Sequence, residues 1–127
     1  MTLNGTSEVR RVLIVEDEPL LALDLQDMLA ELGYLVIGTA TRIERALTLA
    51  EGSEFELAIL DINLAGSNSF PVAEILRERK KPFIFTTGYG ADGLRDGYRG
   101  TPLLTKPFGL RELERVVFRA LTEPESD

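Results

Sequence analysis

The segment RVLIVEDEP, residues 11–19, decides the architecture. Val12, Leu13, Ile14 and Val15 follow one another without a polar break, as in a strand covered on both faces. Glu16, Asp17 and Glu18 end the run, and Pro19 suits the first turn of a helix. A buried strand handing over at once to a helix is half of a β-α unit.

The remainder repeats that unit. Leu21, Leu25, Met28, Leu29 and Leu32 recur at helical spacing, and Gly33 is a stop. YLVIGTA (34–40) reads as a second strand. Thr41 and Glu44 have capping-box spacing for a second helix, with Ile43, Ala46, Leu47 and Ala50 inward and Gly52 at its end. LAILD is a third strand ending at Asp61, followed by the loop INLAGSNS and a third helix with Phe70, Ala73, Ile75 and Leu76 inward. PFIFTT ends a fourth strand at Thr87, and PLLTK ends a short fifth at Lys106. A last helix after Gly109 buries Leu110, Leu113, Val117, Ala120 and Leu121. The chain thus predicts an α/β fold, a flavodoxin-like five-stranded parallel sheet of order 2-1-3-4-5 with helices on both faces. Residues 1–8 read as a disordered leader, 9–122 as the domain and 123–127 as a polar tail.

One stretch departs from the pattern. Between Thr87 and Lys106 a fourth helix is due, but Gly88, Gly90, Gly93, Gly97 and Gly100 crowd it. Each interior glycine costs about 1 kcal/mol against alanine. Tyr89, Leu94 and Tyr98 are too sparse to offset that, so this fourth helix is expected to be short, weak or mobile.

Composition excludes several functions. With no histidine, there is no Ser-His-Asp catalysis, no imidazole acid–base chemistry and no phosphohistidine of the chain's own. With no cysteine, there is neither a disulfide nor a thiolate metal site. A net charge of −7 with scattered basic residues argues against nucleic acid as a partner. No apolar run approaches the roughly 20 residues that span a bilayer, and nothing resembles a signal peptide. A cytoplasmic protein is the expectation.

Open parallel sheets bind ligands beyond the carboxyl ends of their strands, where the strand order reverses. That reversal lies between strands one and three. The strand ends there carry Glu16, Asp17, Asp61, Thr87 and Lys106. Alone, an acidic pair after a strand is a helix N-terminal turn, a strand-ending Asp a turn former, and a lone Lys a surface charge. Together, three carboxylates at one edge call for a cation, and Mg²⁺ suits all-oxygen donors. Asp61 can then attack phosphorus as an oxygen nucleophile, with Lys106 and Thr87 meeting phosphoryl oxygens.

The pieces VLIVEDE, LAILDINLAG, FIFTTGYG and LLTKPF make the chain resemble the receiver domains of two-component response regulators, from about Arg11 to Leu121. The resemblance implies that Asp61 is the phosphoacceptor and Asp17 a direct metal ligand, with Glu16 acting through water. It further implies that the Asn63 carbonyl is another ligand, Thr87 the switch hydroxyl, Lys106 the phosphate-binding lysine and Lys106–Pro107 a cis bond. The implied partners are a sensor histidine kinase or histidine phosphotransfer protein, with docking on the first helix, where Leu20 is a candidate contact that reads equally as a core or an ordinary surface leucine. A downstream protein would meet the face of helix four, strand five and helix five, near Tyr89, Tyr98 and Leu103. Leu103 stands where many receivers carry a switch aromatic, and FIFTTGYG resembles a subgroup of single-domain receivers. The chain ends directly after its last helix, so output is expected through protein contact or as a phosphate sink or relay. Two alternatives are a receiver-like module that is not phosphorylated and an aspartate-nucleophile phosphohydrolase. The latter needs a second Asp where this chain has Asn63.

Overall fold

The computed structural model describes residues 9–88 and 93–122. The expected leader, the tail and Tyr89 lie outside the described residues. The elements run β1 (Arg11–Val15), α1 (Pro19–Glu31), β2 (Leu35–Ala40), α2 (Ile43–Gly52), β3 (Leu57–Asp61), β4 (Asn63–Leu64), β5 (Ser67–Asn68), α3 (Phe70–Glu78), β6 (Phe83–Thr87), β7 (Leu103–Thr105) and α4 (Leu110–Thr122). Five strands pair in parallel in the order β2-β1-β3-β6-β7. This is the expected 2-1-3-4-5 order, with β6 and β7 as the fourth and fifth long strands. The small antiparallel hairpin β4–β5 lies within the expected loop after Asp61.

The apolar run of β1 explains the two layers. Alternate residues of a strand point to opposite faces. Val12 and Ile14 join Ile59, Ile84 and Leu104 beneath α1 and α4, through Leu25, Leu29, Leu113 and Val117. Leu13 and Val15 join Ala58, Leu60, Phe83 and Phe85 beneath α2 and α3, through Ala46, Ala50, Val72 and Leu76. Each fully buried Leu, Ile or Phe contributes roughly 1.5–3 kcal/mol against exposure, so the apolar middle strands dominate the gain.

Helix ends follow local chemistry, with one correction. Pro19 opens α1. At the other end Gly33 has φ +94, its N–H donates to the Ala30 carbonyl and the Tyr34 N–H donates to the Leu29 carbonyl. That is a Schellman closure, which glycine permits. The capping box expected of Thr41 and Glu44 does not form as spaced. The cap is Arg42, without a side-chain cap hydrogen bond, because α2 begins one residue later. Two inward assignments also shift by the helical arc. Ala22, not Leu21, joins Leu25 and Leu29 in the core, and Leu110 is only half-buried ahead of Leu113 and Val117.

The glycine-rich connection carries no α-helix among its described residues, and Asp96–Tyr98 form a 3₁₀ turn. Packing of Tyr98 compensates. Its ring lies 5.1 Å from Phe70 and 5.6 Å from Phe85 by centroid, and the Arg77 guanidinium stands 4.0 Å above it. Arg77 also donates to the Gly97 carbonyl. Tyr98 is therefore buried, at 5% exposure, and is withdrawn from the expected contact face. Among the described residues its hydroxyl is buried with no hydrogen-bond partner. Tyr98→Phe should accordingly hold stability level or raise it by up to about 1 kcal/mol. Tyr98→Ala should cost about 3–5 kcal/mol. Urea denaturation checks both, and a loss above about 1 kcal/mol in the Phe variant would show that the hydroxyl is hydrogen-bonded in solution.

Candidate functional site

Register brings the strand ends to one edge. Val15 pairs with Leu60, Asp61 with Thr86, and Thr87 with Thr105. Glu16, Asp61, Thr87 and Lys106 therefore stand at the ends of four adjacent strands, with Asp17 one residue further along. One carboxylate oxygen each from Glu16, Asp17 and Asp61 lies within 4.8 Å of the others. Glu16 and Asp61 are buried, whereas Asp17 is half-buried at the rim.

Lys106 holds the buried pair together. Its Nζ lies 2.9 Å from Glu16 Oε1 and 3.1 Å from Asp61 Oδ2. The second oxygens are held by backbone donors. The Glu18 N–H donates to Glu16 Oε2 at 3.1 Å, and the Asn63 N–H donates to Asp61 Oδ1 at 3.3 Å. Thr87 is buried beside them, and its carbonyl accepts the Lys106 N–H at 2.7 Å. The Lys106–Pro107 peptide is cis.

The hairpin shapes the rim. The Ser69 N–H donates to the Ile62 carbonyl, and Asn63 faces Asn68 one step along. An antiparallel ladder alternates, so Asn63 occupies the position whose N–H and carbonyl both point away from the partner strand. Its N–H reaches Asp61, which places its carbonyl on the pocket side. The Ala65 N–H donates to Asp17 Oδ2 at 3.0 Å. Sequence reasoning missed this last contact. Gly66 signals a turn, but nothing in the identity of Ala65 marks its amide as reaching residue 17. Within this loop Ile62, Leu64 and Ser69 are buried, whereas Asn63, Ala65, Gly66, Ser67 and Asn68 are exposed. Leu20 is 81% exposed, which excludes the core reading, and Phe118 is an exposed aromatic on α4.

Electrostatics follow from burial. Desolvation pushes the Asp61 pKa up to about 6, with the Glu16 charge adding to the rise and the Lys106 hydrogen bond opposing it. For Lys106, burial works against the ammonium, yet its bonds to Glu16 and Asp61 outweigh that and hold its pKa above the ordinary value. The two directions are compatible. The ion pair favours both charges, but Asp61 also bears desolvation and a second carboxylate.

The chain matches the response regulator receiver domain model over residues 12–118 and belongs to that family. It is 37% identical over 115 residues to the phyllosphere-induced regulator PhyR of Methylorubrum extorquens, covering 87% of this chain and 43% of PhyR. The solution structure of SdrG from Sphingomonas melonis Fr1 superposes with a TM-score of 0.81 at 39% identity, covering 90% of this chain and 98% of SdrG. The receiver domain of the sensor histidine kinase PA1611 from Pseudomonas aeruginosa PAO1 has a magnesium ion coordinated in its active-site cleft. It superposes with a TM-score of 0.75 at 25% identity, covering 91% of this chain and 100% of that domain. The chain spans between 42% and 62% of the length of the curated relatives it matches first. Among the described residues no helix is long and apolar enough to cross a membrane.

The Asp61 shift fixes a sign. Its folded pKa of about 6 lies above the ordinary 3.8, so the folded protein holds this proton more tightly than the unfolded chain. The associated stability is present below about pH 4 and is lost as pH rises through about 6. Ionised Asp61 thus costs at most about 3 kcal/mol, which water at the rim reduces to about 1–2 kcal/mol. Without added metal, Asp61→Asn should be more stable than the native chain by that amount at pH 7.5, with the gain vanishing towards pH 4. Thermal denaturation across pH checks this, and a gain independent of pH would contradict it.

Proposed function

We propose that the chain accepts a phosphoryl group on Asp61 from the phosphohistidine of a sensor histidine kinase or histidine phosphotransfer protein, in a Mg²⁺-dependent reaction. The observation that carries this reading is the convergence of three carboxylates and one lysine at the switch point of the sheet. A structural ion pair needs only one acid for one lysine. Here the acids exceed the bases, and the buried nucleophile candidate keeps a raised pKa, as functional carboxylates do.

The donor set fits magnesium. All candidate ligands are hard oxygens, from Asp17, Asp61, the Asn63 carbonyl and, through water, Glu16. The ion when bound supplies positive charge that offsets the phosphoryl oxygens and the acidic cluster. The chain's own residues do the rest. An Asp61 oxygen forms the new O–P bond while the N–P bond of the donor breaks, and the imidazole nitrogen retains the electron pair. Lys106 then exchanges its bond with Asp61 for one to a phosphoryl oxygen while keeping Glu16. Thr87, buried at the neighbouring strand end, supplies a hydroxyl to a further oxygen and links the modification to the β6–β7 connection. Output runs through protein contact at the β7–α4 side, where Phe118 is exposed among Arg111, Arg115 and Arg119. The reading places the protein in the cytoplasm.

Incubation with acetyl phosphate and Mg²⁺ tests the proposal by intact mass. The native chain should gain one phosphoryl group, lost again in hydroxylamine, and Asp61→Asn should gain none. Lys106→Ala should react about 10²-fold more slowly, the usual cost of removing one oxyanion donor. No mass gain in the native chain, or a gain that survives Asp61→Asn, would overturn the assignment.

A further inference from the structure

We propose that the backbone N–H of Ala65 is a positioning donor for Asp17, so that the β4–β5 turn, rather than the sheet, sets the strength of metal binding. This rests on the reading of the acidic cluster as a magnesium site. The three carboxylates are not held alike. Glu16 and Asp61 each have one oxygen on Lys106 and the other on a neighbouring backbone N–H. Asp17 does not meet Lys106. Among the described residues its one hydrogen bond is from the Ala65 N–H, 48 positions along the chain.

The turn that delivers this N–H is unusual in its residue choice. Ala65 has φ +50 and Gly66 has φ +87, the pattern of a two-residue turn in which both central residues are left-handed. Asn-Gly or Asp-Gly is the favoured pair there, and an alanine Cβ is disfavoured in the first position. The conformation turns the Ala65 N–H back towards the end of β1. With Oδ2 anchored, the Asp17 carboxylate is held where one of its oxygens lies within 4.8 Å of those of Glu16 and Asp61. Glu16 and Asp61 are buried and fixed by Lys106, whereas Asp17 at the rim has freedom to lose. The turn removes that freedom before the ion arrives. Partners of this kind, one bond out from a ligand, change metal affinity about 10–100-fold when removed.

The test replaces the amide, not the side chain. Incorporating L-lactic acid at position 65 exchanges the N–H for an ester oxygen and keeps the methyl group. Mg²⁺ titration of the full chain by calorimetry should show about tenfold weaker binding. Ala65→Gly keeps the N–H and relieves the left-handed backbone, so it should bind Mg²⁺ like the native chain and melt no lower. Native-like affinity in the ester chain, with only its melting temperature reduced, would overturn the proposal. So would Ala65→Gly weakening binding as much as the ester. A native chain that binds no Mg²⁺ would instead overturn the magnesium reading, and this proposal with it. Should the ester chain not fold, amide exchange in the native chain decides. Ala65 should be protected although it is exposed, and should lose that protection in Asp17→Ala. Equal exchange in both chains overturns the proposal.

Discussion

Lys106 Nζ lies within 3.1 Å of two buried carboxylates that stand at the ends of different strands, Glu16 after β1 and Asp61 on β3. Without that ammonium the two acids could not both ionise at the same edge of a low-dielectric sheet. The lysine does not cancel the charge, since Asp17 adds a third carboxylate. It leaves an edge whose excess negative charge favours a cation. Asp61 shows the balance, because its pKa stays raised although it accepts a hydrogen bond from Lys106. The site keeps a carboxylate of raised pKa at a cost in stability, as functional sites commonly do.

The rest of the fold serves this placement. A parallel sheet points all its carboxyl ends the same way, so residues from four strands meet without any one loop having to be long. The strands can be parallel because each is apolar on both faces, and α1 and α4 cover one side while α2 and α3 cover the other. Backbone donors then orient what the strands deliver. Glu18, Asn63 and Ala65 each give an N–H to one of the three acids. Two of those donors sit on the β4–β5 hairpin, so the segment following the nucleophile candidate also shapes its surroundings.

The strand order and the gathering of residues 16, 17, 61, 87 and 106 were legible because both follow from long-period signals. Apolar runs mark strands, and the residue that ends each run is the one at the edge. The cis bond before Pro107 followed from family resemblance. What stayed hidden depended on short-range geometry. The hairpin at Asn63–Asn68 is too brief to show alternation, and the reach of the Ala65 N–H depends on a φ angle, not on a residue type. Glycine content revealed that the β6–β7 connection could not sustain a long helix. It did not reveal that Tyr98 would turn inward, since burial there comes from Phe70, Phe83 and Phe85, which lie elsewhere in the chain. Thr41 and Glu44 had the right spacing for a cap, but α2 took Arg42 instead.

The dependence on Lys106 can be measured at the carboxyl carbon itself. Carbon-detected NMR of the Asp61 side chain, titrated in the native chain and in Lys106→Met, reports the charge balance directly. The account predicts an apparent pKa of about 6 in the native chain, a higher value without the lysine, and a lower one once Mg²⁺ is added. An Asp61 that titrates near the ordinary carboxylate value in both chains, indifferent to the lysine and the metal ion, would contradict it.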